Sequence, residues 1–335
     1  MFEDVRPLVS ERDFVFLSQI YQNAKIIHSD RILFPYTDHG FTHSDRVLGH
    51  LFMLFPDLFE ANGRNRLSSV EVFCLVAAIY LHDIGIQLYQ NSSLQVFCTE
   101  NSIDSSELAN KDIFVRKHHH GLSKFWILDS ISNEPKHSIS YTGDRELAPY
   151  VANICESHGI DFELYDEYTA SEAYNGEELR MGLLCTLLSL GDALDCDRRR
   201  IEYKKLKNQD VPLDSRVHWM KHHYVHSIQL SNGFLKIFYH FPKCSTSKEE
   251  AVYKYYFQRQ TKYWIEKCKE IRGRFLFDTS ISYDIDEDTR FDPYKEKLTD
   301  EEFEYIMAGA IGIVDKQIQA LNQFKQQLQA VAGTT

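Results

Sequence analysis

The chain has 335 residues, of which 43% are hydrophobic and 26% are charged. This is ordinary globular composition and excludes a disordered or fibrous chain. We find no apolar run of the roughly 18 residues that a membrane-spanning helix needs. The first residues carry acids and no apolar segment, unlike a signal peptide. Seven cysteines without a CxxC pair favour a reducing compartment, so we expect a cytoplasmic protein without membrane contact.

Acidic residues outnumber basic residues by 49 to 37, which gives a formal net charge of −12. Such a field repels nucleic-acid backbones over most of the surface. Any phosphate binding must therefore be local. The chain also has 15 histidines, and their arrangement is the most informative feature of the sequence.

Helix signals dominate residues 1–200. Thr42 and Asp45 form a near capping box for a helix from about His43 to Phe55, which Pro56 should stop. Three later helices are predicted as well. They begin at Asp112, at Asp144 (ending at His158-Gly159) and at a cap formed by Asn175 with Glu178.

The most apolar helix signal lies between these elements. Ser68 and Glu71 form a full capping box before the segment VEVFCLVAAIYLHD, and Gly85 is expected to close the helix. Because this segment is apolar nearly all round, we expect it to be a central buried helix.

The pattern changes after Arg200. Alternating residues on both sides of Asn232-Gly233 predict a β-hairpin. A helix over roughly 248–273, a strand over 276–286 and a C-terminal helix over 300–332 follow. The predicted fold is mainly α, with a helical bundle in residues 1–205 and a smaller α+β domain in residues 206–335.

Residues that commonly bind metals lie at or beside the ends of these helices. His82 and Asp83 end the apolar helix, and Asp192 ends another apolar run. Burying an unpaired aspartate is costly, and a cation is the simplest compensation. A single buried histidine is more often a hydrogen-bonded core residue than a ligand, but the joint pattern favours a metal site in a helical bundle. The set is completed by His43, His119 and His158.

The order His43, His82-Asp83, Asp192 resembles the HD superfamily of metal-dependent phosphohydrolases. The segments FTHSDRVLGH, AAIYLHDIG, VRKHHHGLS and LSLGDALD are similar to its motifs, over residues 36–200. More narrowly, RKHHHGLSKFWI, SLGDALDCDRRR and RVHWMKHHYVHSI resemble the HD domains of prokaryotic conflict (anti-phage defence) systems, which often lie beside a GHKL-type ATPase.

The resemblance implies the site residues. The core metal ligands would be His43, His82, Asp83 and Asp192. His119 and His158 match additional histidines, which either bind a second metal or act in catalysis together with Asp83. His119 is favoured within its run because it lies three residues beyond Arg116, but His118 and His120 remain open. No second histidine pair adjoins His158, which argues against a cyclic dinucleotide as substrate.

Mixed histidine and carboxylate ligation predicts one or two divalent ions. Mn, Fe, Co, Ni or Zn suits such a site better than Ca, and Mg is less favoured. Two ions would be about 3.5–4 Å apart with Asp83 between them. A histidine that does not bind metal, His119 or His158, would protonate the leaving oxygen.

Four arginines are candidate substrate-binding residues because an acidic protein needs a local phosphate cradle. Two of them lie near the predicted ligands and two lie after the Asp192 helix: Arg46, Arg116, Arg198 and Arg199. The segment 216–226, RVHWMKHHYVH, either contacts a phosphate or base or packs between the domains, and we favour packing.

We expect a metal-dependent phosphohydrolase that acts on a nucleotide or a nucleotide-derived phosphate ester. Two alternatives remain open: an HD-type nuclease of single-stranded nucleic acid, and a non-catalytic nucleotide-sensing or scaffold subunit of a defence assembly. The expected partners are a nucleotide-type small molecule and either a second copy of the chain or a GHKL-type ATPase. Nucleic acid is less favoured because of the net charge.

Overall fold

The computed structural model describes residues 2–29, 40–63, 65–87, 91–132, 141, 143–159, 172–196, 212–275 and 284–332. Within these ranges the protein is mainly helical, and its twelve α-helices are distributed along the whole described chain. They are α1 (Glu11–Ile27), α2 (Phe41–Leu54), α3 (Pro56–Phe59), α4 (Ser69–Leu81), α5 (Ile84–Gln87), α6 (Asn91–Glu100), α7 (Lys111–Ser130), α8 (Ala148–Ser157), α9 (Met181–Leu194), α10 (Leu213–Tyr224), α11 (Ser247–Glu270) and α12 (Asp300–Ala332).

Five strands form two small sheets. They are β1 (Glu172–Tyr174), β2 (Glu177–Leu179), β3 (Val225–Ser231), β4 (Phe234–Pro242) and β5 (Asp284–Asp292). β1 and β2 make an antiparallel hairpin. The second sheet has the order β3-β4-β5, with an antiparallel β3–β4 pair and a parallel β4–β5 pair. The predicted fold class, a helical bundle with a smaller mixed α and β part toward the C-terminus, is confirmed.

α4 is the buried centre of the helical part. All its residues from Glu71 to Leu81 are buried, and the predicted capping box between Ser68 and Glu71 is present. The stretch Ser69–Gln87 has the length and hydropathy of a membrane-spanning helix, so the expectation that no such stretch exists was wrong by this measure. Because 89% of the stretch is buried inside the protein, it serves here as the core helix.

A partly buried ion pair aligns α4 with α9. Arg180, which immediately precedes α9, donates from Nε to Glu71 Oε1 (2.8 Å) and from Nη2 to Glu71 Oε2 (2.6 Å). Glu71 lies in the first turn of α4, so the two helices begin at the same level. They have 13 and 14 residues, and each is therefore about 20 Å long. Their C-terminal ends consequently lie together, which brings His82-Asp83 close to Asp192.

The predicted helix cap at Asn175 was wrong. Asn175 and Gly176 form the turn between β1 and β2, with φ of 51° and 82°, and α9 begins later, at Met181. An Asn-Gly pair tolerates the two positive φ angles that a tight hairpin turn requires. This turn preference outweighed the spacing of Asn175 and Glu178, which only resembles a cap. The Asn232-Gly233 hairpin, predicted by the same rule, is confirmed.

Other element boundaries differ in smaller ways. α2 ends at Leu54, before Pro56, as predicted. α8 begins at Ala148 and not at Asp144, because residues 144–147 form a turn closed by the Leu147 amide and the Asp144 carbonyl. The strand predicted over 276–286 falls mostly outside the described residues, and the described strand is Asp284–Asp292. The C-terminal helix lies where it was predicted.

One buried core extends from the helical bundle into the C-terminal part. Tyr224, Ile237 and Phe241 belong to the same cluster of buried side chains as α4 and α9, and α11 packs against α9. The predicted boundary between residues 205 and 206 lies outside the described residues. The division into two domains therefore stays a prediction.

Candidate metal centre

Four predicted ligands meet where α4 and α9 end. His43 lies in the first turn of α2, His82 and Asp83 form the turn between α4 and α5, and Asp192 lies in the last turn of α9. His43 Nε2 is 3.1 Å from Asp192 Oδ1 and 3.2 Å from His82 Nε2. His43 and His82 are fully buried.

A second histidine pair lies on the other side of Asp83. The Nε2 atoms of His119, on α7, and His158, just after α8, are 3.1 Å apart. Each lies 3.6 Å from Asp83 Oδ1. Asp83 Oδ2 is instead 3.2 Å from His82 Nε2 and 3.7 Å from His43 Nε2. The carboxylate of Asp83 thus presents one oxygen to each histidine pair.

The orientation of all four rings is fixed at Nδ1. His82, His119 and His158 each place Nδ1 against a backbone carbonyl three residues earlier, and His43 places it against Asp195. An Nδ1–H that donates to a carbonyl or carboxylate leaves the Nε2 lone pair for another partner. All four lone pairs therefore converge on the region around Asp83.

These residues fit a metal ion. Ligand atoms within 4.8 Å of one another occur in two groups, His43–His82–Asp192 and His82–Asp83–His158. The electrostatics agree: burial lowers the pKa of His82, but Asp83 and then Asp192 outweigh burial and raise it to about 9. This shift reports a negative potential that a cation would offset. Imidazole with carboxylate is a donor set that suits borderline divalent ions.

Asp195 belongs to the site and was missed from the sequence. Its side chain is 1% exposed, and it accepts hydrogen bonds from His43 Nδ1, from Arg46 Nε (2.6 Å) and from Arg46 Nη2 (2.9 Å). Burial raises the pKa of Asp195, but its hydrogen bonds to His43, His50 and Arg46 together hold it far below the usual range. Asp195 therefore stays ionised and orients His43. The sequence signal was its position one helical turn beyond Asp192.

Ser123, also missed, ties the turn that carries His82 and Asp83 to α7. Its buried Oγ donates to the His82 carbonyl (2.5 Å) and accepts from the Gly85 amide (2.9 Å). Gly85 does not close α4 as predicted, because it lies inside α5. Its lack of a Cβ allows α5 to approach α7, since a Cβ there would lie 2.2 Å from the His119 carbonyl oxygen.

Gly85→Ala is expected to destabilise the protein by about 1–3 kcal/mol, because the added methyl group forces two packed helices apart. His119 should move with α7, so turnover should also fall. Thermal unfolding and activity would be measured together. Gly312→Ala is the matched control, because a Cβ there has no atom within 4 Å and Gly312 is not part of the cavity lining. Equal stability of the two variants would contradict the close approach.

His119 is the member of the triple-histidine run that faces the centre. His118 contacts Glu107, with 3.4 Å between Nε2 and Oε2. His120 packs against Gly159, where a Cβ would lie 2.2 Å from its Nδ1. Burial, and then the neighbouring histidines, lowers the pKa of His120 to about 3, so this ring is neutral. The catalytic and ligand roles assigned to His119 and His158 stay predictions.

The predicted substrate-binding arginines lie in different surroundings. Arg46 forms an ion pair with Asp195, which the sequence did not suggest. Arg116 donates from Nη1 to Ser215 Oγ (2.8 Å) and lines a cavity. Arg198 and Arg199 lie outside the described residues. The substrate-binding role of all four stays a prediction.

A cavity of about 890 Å³ opens beside the centre. His119, His158 and Asp192 form part of its lining, together with side chains of α10, α11 and α12. The segment 216–226, for which we favoured packing over contact with a ligand, has residues in both the cavity lining and the core. Trp219 and Lys221 line the cavity, whereas Tyr224 is buried in the core.

The sequence model of the HD-CE family matches residues 35–266, a range that includes all six predicted ligands and continues through most of α11. No curated protein sequence matches the chain significantly.

Proposed function

The chain belongs to the HD-CE family, and from that premise we propose that it hydrolyses a small nucleotide or a nucleotide-derived phosphate ester. An HD domain implies a metal-dependent phosphohydrolase. The observation that carries the proposal is the arrangement of two histidine pairs on the two oxygens of Asp83, beside a cavity.

Five of the clustered residues would bind the metal. A divalent metal bound here supplies a nucleophile at neutral pH and neutralises charge on the phosphoryl oxygens. His43, His82, Asp83, Asp192 and His158 would hold it. The side chain of His158 is only 4% exposed, as suits a ligand.

His119 is the better proton donor of the second pair. Its side chain is 20% exposed and lines the cavity. Its Nδ1 is held by the Arg116 carbonyl at 2.7 Å, so Nε2 is the atom that can hold a proton for the leaving oxygen.

The size of the cavity and the charge of the chain favour a small substrate. A volume of about 890 Å³ falls in the range of small-molecule sites, which is roughly 300–1,000 Å³. A polymer would need many Lys or Arg side chains along its backbone, in a chain whose net charge is −12.

We also propose a biological setting for the protein. The chain acts in the cytoplasm in prokaryotic defence, with a second copy of itself or a GHKL-type ATPase as partner. The motifs RKHHHGLSKFWI and SLGDALDCDRRR support this setting through their resemblance to HD domains of conflict systems.

The test compares substrates on one metal-loaded preparation. Nucleoside triphosphates, nucleoside monophosphates and single-stranded DNA would be offered with Mn, Co, Ni, Zn or Mg, and phosphate release and DNA cleavage would be measured. We expect at least one mononucleotide to be cleaved faster than DNA, and Asp83→Ala to abolish the reaction.

Two results would contradict the proposal. Faster cleavage of DNA than of any mononucleotide, lost in Asp83→Ala, would establish the nuclease alternative. Equal rates for the unchanged protein and Asp83→Ala on every substrate would establish a non-catalytic subunit.

A further inference from the structure

The lining of the cavity beside the metal centre has two chemically different parts. His119, His158 and Asp192 belong to the metal centre and line the cavity from the helical bundle. The helices α10, α11 and α12 contribute apolar side chains, among them Val217 and Ile306. A ligand that fills the cavity therefore contacts the metal centre with one part and an apolar surface with another.

The apolar residues of these three helices form a small cluster of their own. Val217, Val252 and Ile306 are its buried members, and Tyr255 packs against them. The cluster is separate from the main core. Because Val217, Tyr255 and Ile306 also line the cavity, the C-terminal part of the chain gives the cavity an apolar region that contains none of the predicted metal ligands.

Two large side chains of the cavity are open to solvent. Tyr305 on α12 is 46% exposed, Ile113 on α7 is 56% exposed, and both line the cavity. Aromatic and aliphatic side chains in a concave site are typical of small-molecule pockets. Since the ring of Tyr305 is nearly half exposed, it can stack with a flat ligand.

α10 and α11 also carry two buried polar atoms that have no hydrogen-bond partner within the described residues. They are Trp219 Nε1 and Tyr255 Oη, and both residues line the cavity. A purely aliphatic ligand would leave both atoms unpaired, and unpaired buried polar atoms are costly. A flat aromatic ligand with polar atoms along its edge offers both stacking and hydrogen bonds. A nucleobase has this chemistry.

We propose that the apolar region of the cavity binds the nucleobase of the substrate, stacked on Tyr305 and packed against Val217, Tyr255 and Ile306. These four residues are called the base site. The inference rests on the proposed function, because the metal centre holds the phosphate end of the same molecule. It assigns recognition of the base to α10, α11 and α12, and the chemistry to the helical bundle.

The first test measures binding without turnover. Adenosine, guanosine, cytidine and uridine are titrated into the metal-loaded protein, with ribose as the probe that lacks a base, and affinities are measured by ligand-observed NMR. None of these probes carries a phosphate, so none can be hydrolysed. We expect at least one nucleoside to bind more tightly than ribose.

Two substitutions should weaken the binding of that nucleoside. Tyr305→Ala removes the stacking ring and should weaken binding about tenfold, whereas Tyr305→Phe keeps the ring and should bind normally. Gly309 lies one turn further along α12 and lines the cavity, and a Cβ there has no atom within 4 Å. Gly309→Leu therefore adds a side chain where there is room for it and should also weaken binding, by occupying part of the cavity.

Each substitution has a matched control. Gly312→Leu makes the same change on α12 at a glycine that also has no atom near its Cβ but does not line the cavity. Tyr294→Ala removes a tyrosine that is 95% exposed and outside the cavity lining. Both controls should bind the nucleoside as the unchanged protein does. Circular dichroism would verify that all variants are folded.

The second test measures kinetics. In Tyr305→Ala, KM for the mononucleotide that is cleaved fastest should rise about tenfold with little change in kcat, because stacking holds the base equally in the ground state and the transition state. The inference is overturned if no nucleoside binds more tightly than ribose, or if Tyr305→Ala and Gly309→Leu bind it like their controls. Failure of the proposed function is a different result, namely no turnover on any phosphate ester whatever the nucleosides do.

Discussion

Replacing Asp83 by asparagine is expected to remove the bound metal and to lower turnover by roughly 10³-fold or more. Asp83 faces one histidine pair with Oδ2 and the other with Oδ1. Asparagine has the same shape but replaces one of these oxygens with an NH₂ group, which cannot bind a cation. Elemental analysis, turnover and circular dichroism would be measured on the same preparation.

Asp45→Asn is the matched control for this variant. Asp45 lies on α2 two residues after His43, and its Oδ1 accepts a hydrogen bond from Tyr80 Oη at 2.8 Å. Asparagine retains an acceptor there and makes the same change of charge, so the metal content should stay normal. Full metal content in both Asp83→Asn and Asp192→Asn would contradict the assignment of the metal centre.

The cluster of His and Asp side chains could be predicted from sequence because of where its members lie. His82-Asp83 and Asp192 each end a helix that is otherwise apolar, and polar groups at such positions are conspicuous. Their meeting follows from the nearly equal lengths of α4 and α9 and from the Glu71–Arg180 ion pair that aligns them. That pair joins residues 109 positions apart, so the sequence indicated the candidate ligands but not the reason for their proximity.

The groups that orient the ligands could not be predicted in this way. Asp195 is 152 residues from His43 in sequence, and Ser123 is 41 residues from His82. Asp195 lies one helical turn beyond Asp192, which places it near the site, but the orienting role of each residue is defined by a contact between distant elements. Arg46 illustrates the same limit, since its partner is Asp195, whereas the sequence suggested only a phosphate.

The prediction at Asn175 was wrong because two local sequence rules, one for helix caps and one for hairpin turns, applied to the same residues. Asn175 and Glu178 have the spacing of a helix cap, but Asn175-Gly176 is also the preferred dipeptide of a hairpin turn. The short β1–β2 pairing decided between them. At Asn232-Gly233 long alternating segments flank the turn, so no competing pattern existed and the hairpin was predicted correctly.

Asp195→Asn is expected to lower metal affinity about 10- to 100-fold, because His43 loses the carboxylate that orients its ring and raises its basicity. It should also lower the free energy of unfolding by roughly 3 kcal/mol, since Arg46 loses a 1% exposed carboxylate partner. Metal affinity would be measured by competition with a chelating indicator. Stability would be measured by urea unfolding in excess chelator, so that it does not depend on bound metal.

A second substitution, Arg46→Gln, tests whether the stability loss of Asp195→Asn comes from the arginine. If the stability loss in Asp195→Asn arises from an arginine without its counter-charge, then Asp195→Asn combined with Arg46→Gln should be more stable than Asp195→Asn alone. Metal affinity should stay low in the double variant, because the His43 ring still lacks its carboxylate. Asp83→Asn, measured in the same chelator, should show a smaller loss of stability than Asp195→Asn. An Asp195→Asn protein with unchanged metal affinity would show that His43 does not depend on this carboxylate.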